Sequence, residues 1–129
     1  MSEHPEHSPG FLALAEDARS RVREVSVDET LRAVNDGTAR LIDVREDNEW
    51  LAAHARGAEH ISRGIIERDI EKLVPEKDAP LILHCGGGFR SALAADSLQR
   101  MGYTNVASMA GGWRAWKEAG APVEEEGNE

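Results

Sequence analysis

The stretch "LILHCGGGFRSALAADSLQRMGY", Leu81 to Tyr103, carries the only cysteine of the chain. It opens with Leu81-Ile82-Leu83-His84, a short apolar run that suits a strand buried on both faces. It closes with Ala94, Leu98 and Met101 on one helical face, and Gly102 stops that helix. Between them lie Cys85, Gly86, Gly87, Gly88, Phe89, Arg90 and Ser91. A strand thus delivers a thiol into a glycine turn at the start of a helix, which the pattern places near Ser91. In open parallel sheets ligands bind beyond the carboxyl ends of the strands, and Cys85 falls at one.

Outward from this stretch the same alternation continues. Arg40-Leu41-Ile42-Asp43-Val44 is a second buried strand and Val106 to Met109 a third. Helices are predicted over Pro9 to Arg23, with Ser8 as N-cap and Phe11, Leu14, Ala15, Ala18 and Val22 on one face. Ser26-Val27-Asp28-Glu29 reads as a capping box opening the next helix, which Gly37 ends. Glu46 to Ala53 and Gly64 to Val74 read as helices, and Gly57 to Ser62 as a loop. Trp113 and Trp116 share one face of a last helix stopped at Gly120 and are read as core. Apolar strands alternating with amphipathic helices define an α/β domain, a parallel sheet covered on both faces. Residues 25–124 form one domain, residues 1–24 an N-terminal extension with its amphipathic helix, and residues 125–129 the end of an acidic tail, starting at Glu124, expected to be disordered. The extension suggests a docking helix or a homodimer contact.

Composition narrows the function. The formal net charge is -9, with 24 Asp and Glu against 15 Lys and Arg. A nucleic-acid binder needs a basic face to replace counterions on phosphate, so nucleic acid is excluded as partner, and adhesion to an anionic membrane with it. No apolar run approaches the roughly 20 residues of a membrane span. Met1 to Gly10 lacks the basic and apolar regions of a secretory signal. One cysteine permits no internal disulfide, and the expected compartment is a reducing cytoplasm. His54, His60, His84 and Cys85 match no zinc spacing, so no metal is expected. His7 needs no role.

Cys85 sits where several features favour a thiolate. Glycines can curl backbone N–H groups inward into an anion nest. The helix that follows adds its positive end, and Arg90 adds a fixed charge. Such a cradle suits a reactive thiolate or a small anion.

These residues resemble the rhodanese family of sulfurtransferases. "LIDVRE" (Leu41–Glu46) resembles its first strand and Asp-Val-Arg signature, and "CGGGFRS" (Cys85–Ser91) its active-site loop. "GYTNVASMAGGWRAWKEAGAPV" (Gly102–Val123) resembles its closing segment. The likeness runs from about Val25 to Val123. It implies a rhodanese-like single-domain fold and a two-step exchange. Cys85 takes a sulfane sulfur from a donor such as thiosulfate, forming a persulfide, and passes it to a thiophilic acceptor, cyanide or a thiol. Gly86, Gly87, Gly88, Phe89, Arg90 and Ser91 would hold the anionic sulfur, with Asp43 and Arg45 as supporting ion-paired residues. No cofactor is implied. The partners are a small-molecule sulfur donor and acceptor, or a thiol-bearing protein.

Two other readings stand beside it. The chain could act as a persulfide carrier serving a dedicated partner protein. It could also be a phosphatase or arsenate reductase, since His84-Cys85, glycines and an Arg resemble the tyrosine-phosphatase signature. That loop is one residue longer than the four residues between Cys85 and Arg90, so the anion pocket here is smaller.

Overall fold

The computed structural model describes residues 7–125. Along the chain run α1 (Pro9–Arg19), β1 (Arg23–Val25), α2 (Val27–Asp36), β2 (Arg40–Asp43), α3 (Asp47–Ala52), β3 (Ala53–Ala55), β4 (Ala58–His60) and α4 (Ile66–Leu73). There follow β5 (Leu81–His84), α5 (Phe89–Arg100), β6 (Val106–Met109), α6 (Gly112–Glu118) and β7 (Val123–Glu125). Five strands form the main sheet in the order β1-β6-β5-β2-β4, every neighbour parallel. β5 is central, all four of its residues buried, as its apolar run requires. The chain places β2 and β4 on one side of β5, then returns to build β6 on the other. The strand order therefore reverses beside β5, at the crevice where such sheets take their ligands.

Side chains alternate across the sheet. Leu81, Leu83 and Cys85 face one core together with Ile42, Val44, Ile66, Ile70 and Leu98, under α4 and α5. Ile82, Leu41, Ala107 and Met109 face the other with Val27 and Trp116, under α2 and α6. Cys85 thus projects toward α5, and His84 toward the opposite layer.

The capping box at Ser26 is formed: its hydroxyl accepts from Glu29 N–H at 3.0 Å, and the Glu29 carboxylate accepts from Ser26 N–H at 2.8 Å. Ser8 caps α1, accepting from Phe11 N–H. α1 ends at Arg19, however, short of the predicted Arg23. Ser20 turns back to donate to the Asp17 carbonyl, and Arg23–Val25 leaves as β1 to pair with β6. Backbone pairing in the sheet outweighs a continued helical pattern here. The predicted loop at Gly57 to Ser62 contains β4, an edge strand whose half-buried residues show no apolar run. The tail needs a further correction. Glu124 and Glu125 pair antiparallel with His54 and Ala53 in a second, two-stranded sheet, where Glu124 also reaches His54 at 3.3 Å. A short ladder at an edge needs no apolar side chains. Residues 126–129 lie outside the described residues.

α1 packs on α5 of its own chain. Ala15 and Ala18 are buried there, small enough to let the helices approach. Arg21 forks onto Asp96 at 3.1 and 2.8 Å. A homodimer contact through α1 would have to use its other side, where Leu14 is 60% exposed.

Candidate active site

Cys85 follows β5 at the centre of the sheet and is 1% exposed. Its Sγ accepts hydrogen bonds from Gly88 N–H at 3.1 Å and Ser91 N–H at 3.3 Å. These N–H groups belong to the N-cap and first turn of α5, so the helix's unpaired donors converge on sulfur, as unpaired donors at helix starts favour. The Ser91 hydroxyl stands 3.5 Å from Sγ, and its oxygen is 2.8 Å from the Ser108 hydroxyl on β6. Both serines are fully buried. A chain of two hydroxyls therefore ends on the sulfur: the thiol S–H donates to the Ser91 oxygen, and once the thiol ionises Ser91 O–H can donate to Sγ while its oxygen accepts from Ser108.

The three glycines are not equivalent. α5 begins at Phe89, two residues before the expected start, and Gly88 makes this turn with φ +101°. That conformation is costly for other residues. Gly86 and Gly87 are not in the left-handed region. At Gly86 an added Cβ would stand 3.1 Å from the Arg90 guanidinium. Of the three, only Gly88 supplies the curl that the sequence suggested for the whole run.

The outer side of the loop is held by α6. Trp113 N–H donates to the Cys85 carbonyl at 2.6 Å, and Arg114 N–H to the Gly86 carbonyl at 3.2 Å. With these carbonyls fixed outward, the loop is held with its sulfur-facing donors inward. The close approach explains the second glycine of Gly111-Gly112-Trp113. A Cβ on Gly112 would overlap the Cys85 carbonyl oxygen and stand 2.9 Å from the Gly86 carbonyl.

Arg90 does not stand free in the loop. It pairs with Glu49 of α3 at 3.0 Å and 3.4 Å. Burial works against its charge, but the Glu49 hydrogen bond and the nearby Cys85 sulfur hold its pKa above the ordinary value. Burial likewise tends to raise the Glu49 pKa, and the Arg90 pair with the Glu46 N–H outweighs it, holding the carboxyl below its usual range.

Asp43 and Arg45 are buried and paired, with Arg45 Nε 3.1 Å from both carboxylate oxygens and one terminal nitrogen at 2.9 Å. Arg45 also donates to the Ala53 carbonyl at 2.7 Å and lies over the Trp113 ring, 4.5 Å from its centre. The pair ties β2 to β3 and to the start of α6. Neither residue lines the cavity above Cys85. His84 lies on this side too, fully buried, its Nδ1 3.2 Å from the Cys85 carbonyl and its Nε2 3.6 Å from Asp43. Burial pushes its pKa below the ordinary value; Asp43 and the Cys85 carbonyl pull it up, and Arg45 pushes it down.

Above the sulfur opens a cavity of about 410 Å³. Cys85, Gly86, Gly87 and Arg90 line it from the loop. Trp113, Arg114 and Lys117 of α6 line it, as do Phe89 and, from the N-terminal extension, His7 and Phe11. Sequence reading placed Trp113 with Trp116 in the core. Trp116 is there, with no exposed surface, whereas Trp113 packs against that core only half-buried and also lines the cavity. His7 packs against Phe11 and Phe89 at ring distances of 5.2 Å and 4.9 Å. Glu49, Ser108, Arg114, Lys117 and Phe11 were not legible as site residues. The only signal was the cation spacing of Arg114 and Lys117, one turn apart in the helix that follows Gly111-Gly112.

Among the described residues, no group of three or more His, Cys, Asp or Glu side chains is placed to hold a metal ion. None of the described helices is long and apolar enough to cross a membrane.

The chain matches the rhodanese-like domain family over residues 26–119. It is 34% identical over 86 residues to the thiosulfate sulfurtransferase GlpE of Vibrio cholerae, covering 67% of this chain and 79% of that protein. Among solved structures, a Rhodopseudomonas palustris protein of unknown function, named as a possible tyrosine phosphatase, superposes with a TM-score of 0.81 at 28% identity, covering 96% of this chain and 99% of that one. The polysulfide-sulfur transferase homodimer of Wolinella succinogenes gives 0.78 at 25% identity, covering 92% and 89%.

Proposed function

This chain belongs to the rhodanese-like domain family, and from that premise we propose that it is a sulfurtransferase working through a persulfide on Cys85. The observation that carries the reading is the convergence of the Gly88 and Ser91 N–H groups on Sγ, at 3.1 and 3.3 Å, beneath a cation-lined cavity. Two preset donors stabilise negative charge on sulfur without reorganisation. They serve the thiolate that attacks and, with the rest of the loop, the anionic persulfide that follows.

The Cys85 thiolate attacks the outer sulfur of the donor. A bond from Sγ to that sulfur forms, the donor's S–S bond breaks, and its electron pair leaves with the remnant, sulfite when the donor is thiosulfate. An acceptor nucleophile then attacks the outer sulfur of the persulfide. Cyanide leaves as thiocyanate and restores the Cys85 thiolate; a thiolate acceptor leaves as a persulfide. Arg90 keeps the loop closed through Glu49 and offers its charge to the donor. Asp43 and Arg45 act as positioning residues. The reaction suits a reducing cytoplasm, where thiol acceptors abound.

The test is cyanide-dependent thiocyanate formation from thiosulfate by the wild type and Cys85→Ser, with intact mass after donor exposure. A Cys85-dependent rate and a mass gain of one sulfur support the reading. No rate and no added sulfur with any donor refute it. Added sulfur without turnover assigns the carrier role instead, with sulfur passed to a partner protein. The Rhodopseudomonas palustris neighbour brings a second reading, phosphate ester hydrolysis. Cys85-dependent turnover of an aryl phosphate would establish it.

A further inference from the structure

Both phenylalanines of the chain, Phe11 and Phe89, line the cavity above Cys85, together with Trp113. Phenylalanine, tryptophan and tyrosine make up only 5% of the residues, so this clustering is not compositional. The same cavity carries Arg90, Arg114 and Lys117, and among the described residues that line it none is acidic, in a chain whose net charge is -9. The cavity therefore combines a soft apolar wall with cations. At about 410 Å³ it falls within the roughly 300–1,000 Å³ of pockets that enclose organic ligands, far more than a small inorganic anion fills.

Phe11 reaches this wall from α1, outside the matched family region of residues 26–119. The packing of α1 on α5 brings it there: the ring centres of Phe11 and Phe89 lie 6.1 Å apart, tilted by 53°, a distance and tilt typical of interacting aromatic pairs. The helix outside the family region thus adds an aromatic wall to the Cys85 site.

Resting on the sulfurtransferase reading, we propose that the site is built for an organic sulfane donor, anionic at its sulfur end and apolar behind it, and that Phe11 of α1 is a specificity-determining residue for that class. A donor R–SO₂–S⁻ places its charged end toward the loop and R against Phe11, Phe89 and Trp113. Cys85 thiolate bonds to the terminal sulfur, the donor's S–S bond breaks, and the pair leaves on the sulfinate R–SO₂⁻, so total charge is unchanged and no proton moves. With an organic persulfide R–S–SH the pair leaves on R–S⁻.

The experiment compares benzenethiosulfonate with methanethiosulfonate, two donors of equal charge that differ in R, with cyanide as acceptor and thiosulfate run in parallel. Each kcat/KM is divided by the uncatalysed rate with cyanide. The phenyl-to-methyl ratio should exceed one clearly in the wild type and fall about 3- to 10-fold in Phe11→Ala, the size of one aromatic contact. Phe11→Leu should fall between them. Leu14→Ala, on the exposed side of the same helix, should keep the wild-type ratio. A wild-type ratio near one, or a ratio unmoved in Phe11→Ala, overturns the proposal while sulfur transfer stands. So does an equal fall in Leu14→Ala, which would make the effect one of helix docking. If no donor adds sulfur to Cys85, the sulfurtransferase reading falls and this one with it.

Discussion

Gly112→Ala tests whether α6 fixes the geometry of the cysteine loop. Gly112 has φ +54°, and a Cβ there would overlap the Cys85 carbonyl oxygen and crowd the Gly86 carbonyl carbon and oxygen, both at 2.9 Å. All of these are backbone atoms, so no rotamer change relieves the contact, and the helix start or the loop must move. Two costs add. Left-handed backbone costs an alanine about 1–2 kcal/mol. Displacement also weakens the Trp113 and Arg114 N–H bonds to the loop carbonyls, each worth about 0.5–1.5 kcal/mol. Gly120→Ala separates the two. Gly120 has φ +73° and nothing within 4 Å of an added Cβ, so it carries the backbone cost alone. The difference between the variants should be about 1–3 kcal/mol, read by urea denaturation followed through tryptophan fluorescence.

A second readout follows from the same displacement. When the Cys85 and Gly86 carbonyls shift, the loop no longer holds its N–H groups on Sγ. Hydrogen bonds to charged groups are worth about 1.5–3 kcal/mol, so alkylation of Cys85 by iodoacetamide at neutral pH should slow by roughly tenfold or more in Gly112→Ala. It should stay at the wild-type rate in Gly120→Ala. If Gly112→Ala matches Gly120→Ala in both stability and alkylation rate, α6 does not hold the loop, and the account of the second glycine is wrong.

Ser108→Ala should slow the same alkylation by about 3- to 10-fold, because the Ser91 hydroxyl loses the partner that orients it toward Sγ and one hydrogen bond is worth about 1 kcal/mol; an unchanged rate removes Ser108 from the site. Asp43→Ala should destabilise the protein by about 3–5 kcal/mol, since it leaves the Arg45 charge buried and unpaired; if stability holds and only the donor KM rises, Asp43 contacts substrate instead. His84 is buried with its pKa held down, so above its ordinary value of about 6.5 neither native nor unfolded protein carries that proton. As pH falls below this, the unfolded chain binds the proton first and stability declines by up to about 1.4 kcal/mol per pH unit until the native pKa is reached. The slope between pH 7 and 5 should flatten in His84→Asn, measured by urea denaturation, and equal slopes in both proteins would discard the assignment.

What the sequence made legible was what depends on local pattern. The apolar runs of β2, β5 and β6 are buried on both faces, so they read as strands without tertiary context. Ser8, Ser26 and Gly37 mark helix ends because capping is a short-range interaction. β1, β3, β4 and β7 were not legible. Each is three residues long and partly exposed, and its partner strand, distant in sequence and most of all for β1 with β6 and β3 with β7, is what makes it a strand. The Cys85 loop was legible because glycine, cysteine and arginine are chemically distinctive in a row. Glu49 and Ser108 were not, since their roles exist only once α3 and β6 are brought beside the loop.

The Gly111-Gly112-Trp113 segment joins these two kinds of information. In sequence it resembled a family marker at the end of the fold, with Trp113 a core residue one turn from Trp116. In the structure Gly112 is the contact surface between α6 and the cysteine loop, Trp113 N–H holds the Cys85 carbonyl, and the Trp113 ring stacks on Arg45 while walling the cavity. A series of contacts joins Asp43 to the sulfur: its carboxylate pairs with Arg45, the Arg45 guanidinium lies over the Trp113 ring, and Trp113 N–H donates to the Cys85 carbonyl of the loop whose donors face Sγ. This series predicts that damage travels in order. Trp113→Ala removes the ring but keeps the N–H, so it should alter donor affinity more than alkylation of Cys85. Gly112→Ala moves the N–H and should do the reverse. If the two variants shifted donor KM and alkylation rate in the same proportion, the ring and the backbone of Trp113 would not have separate roles, and the route from Asp43 to the sulfur would have to run elsewhere.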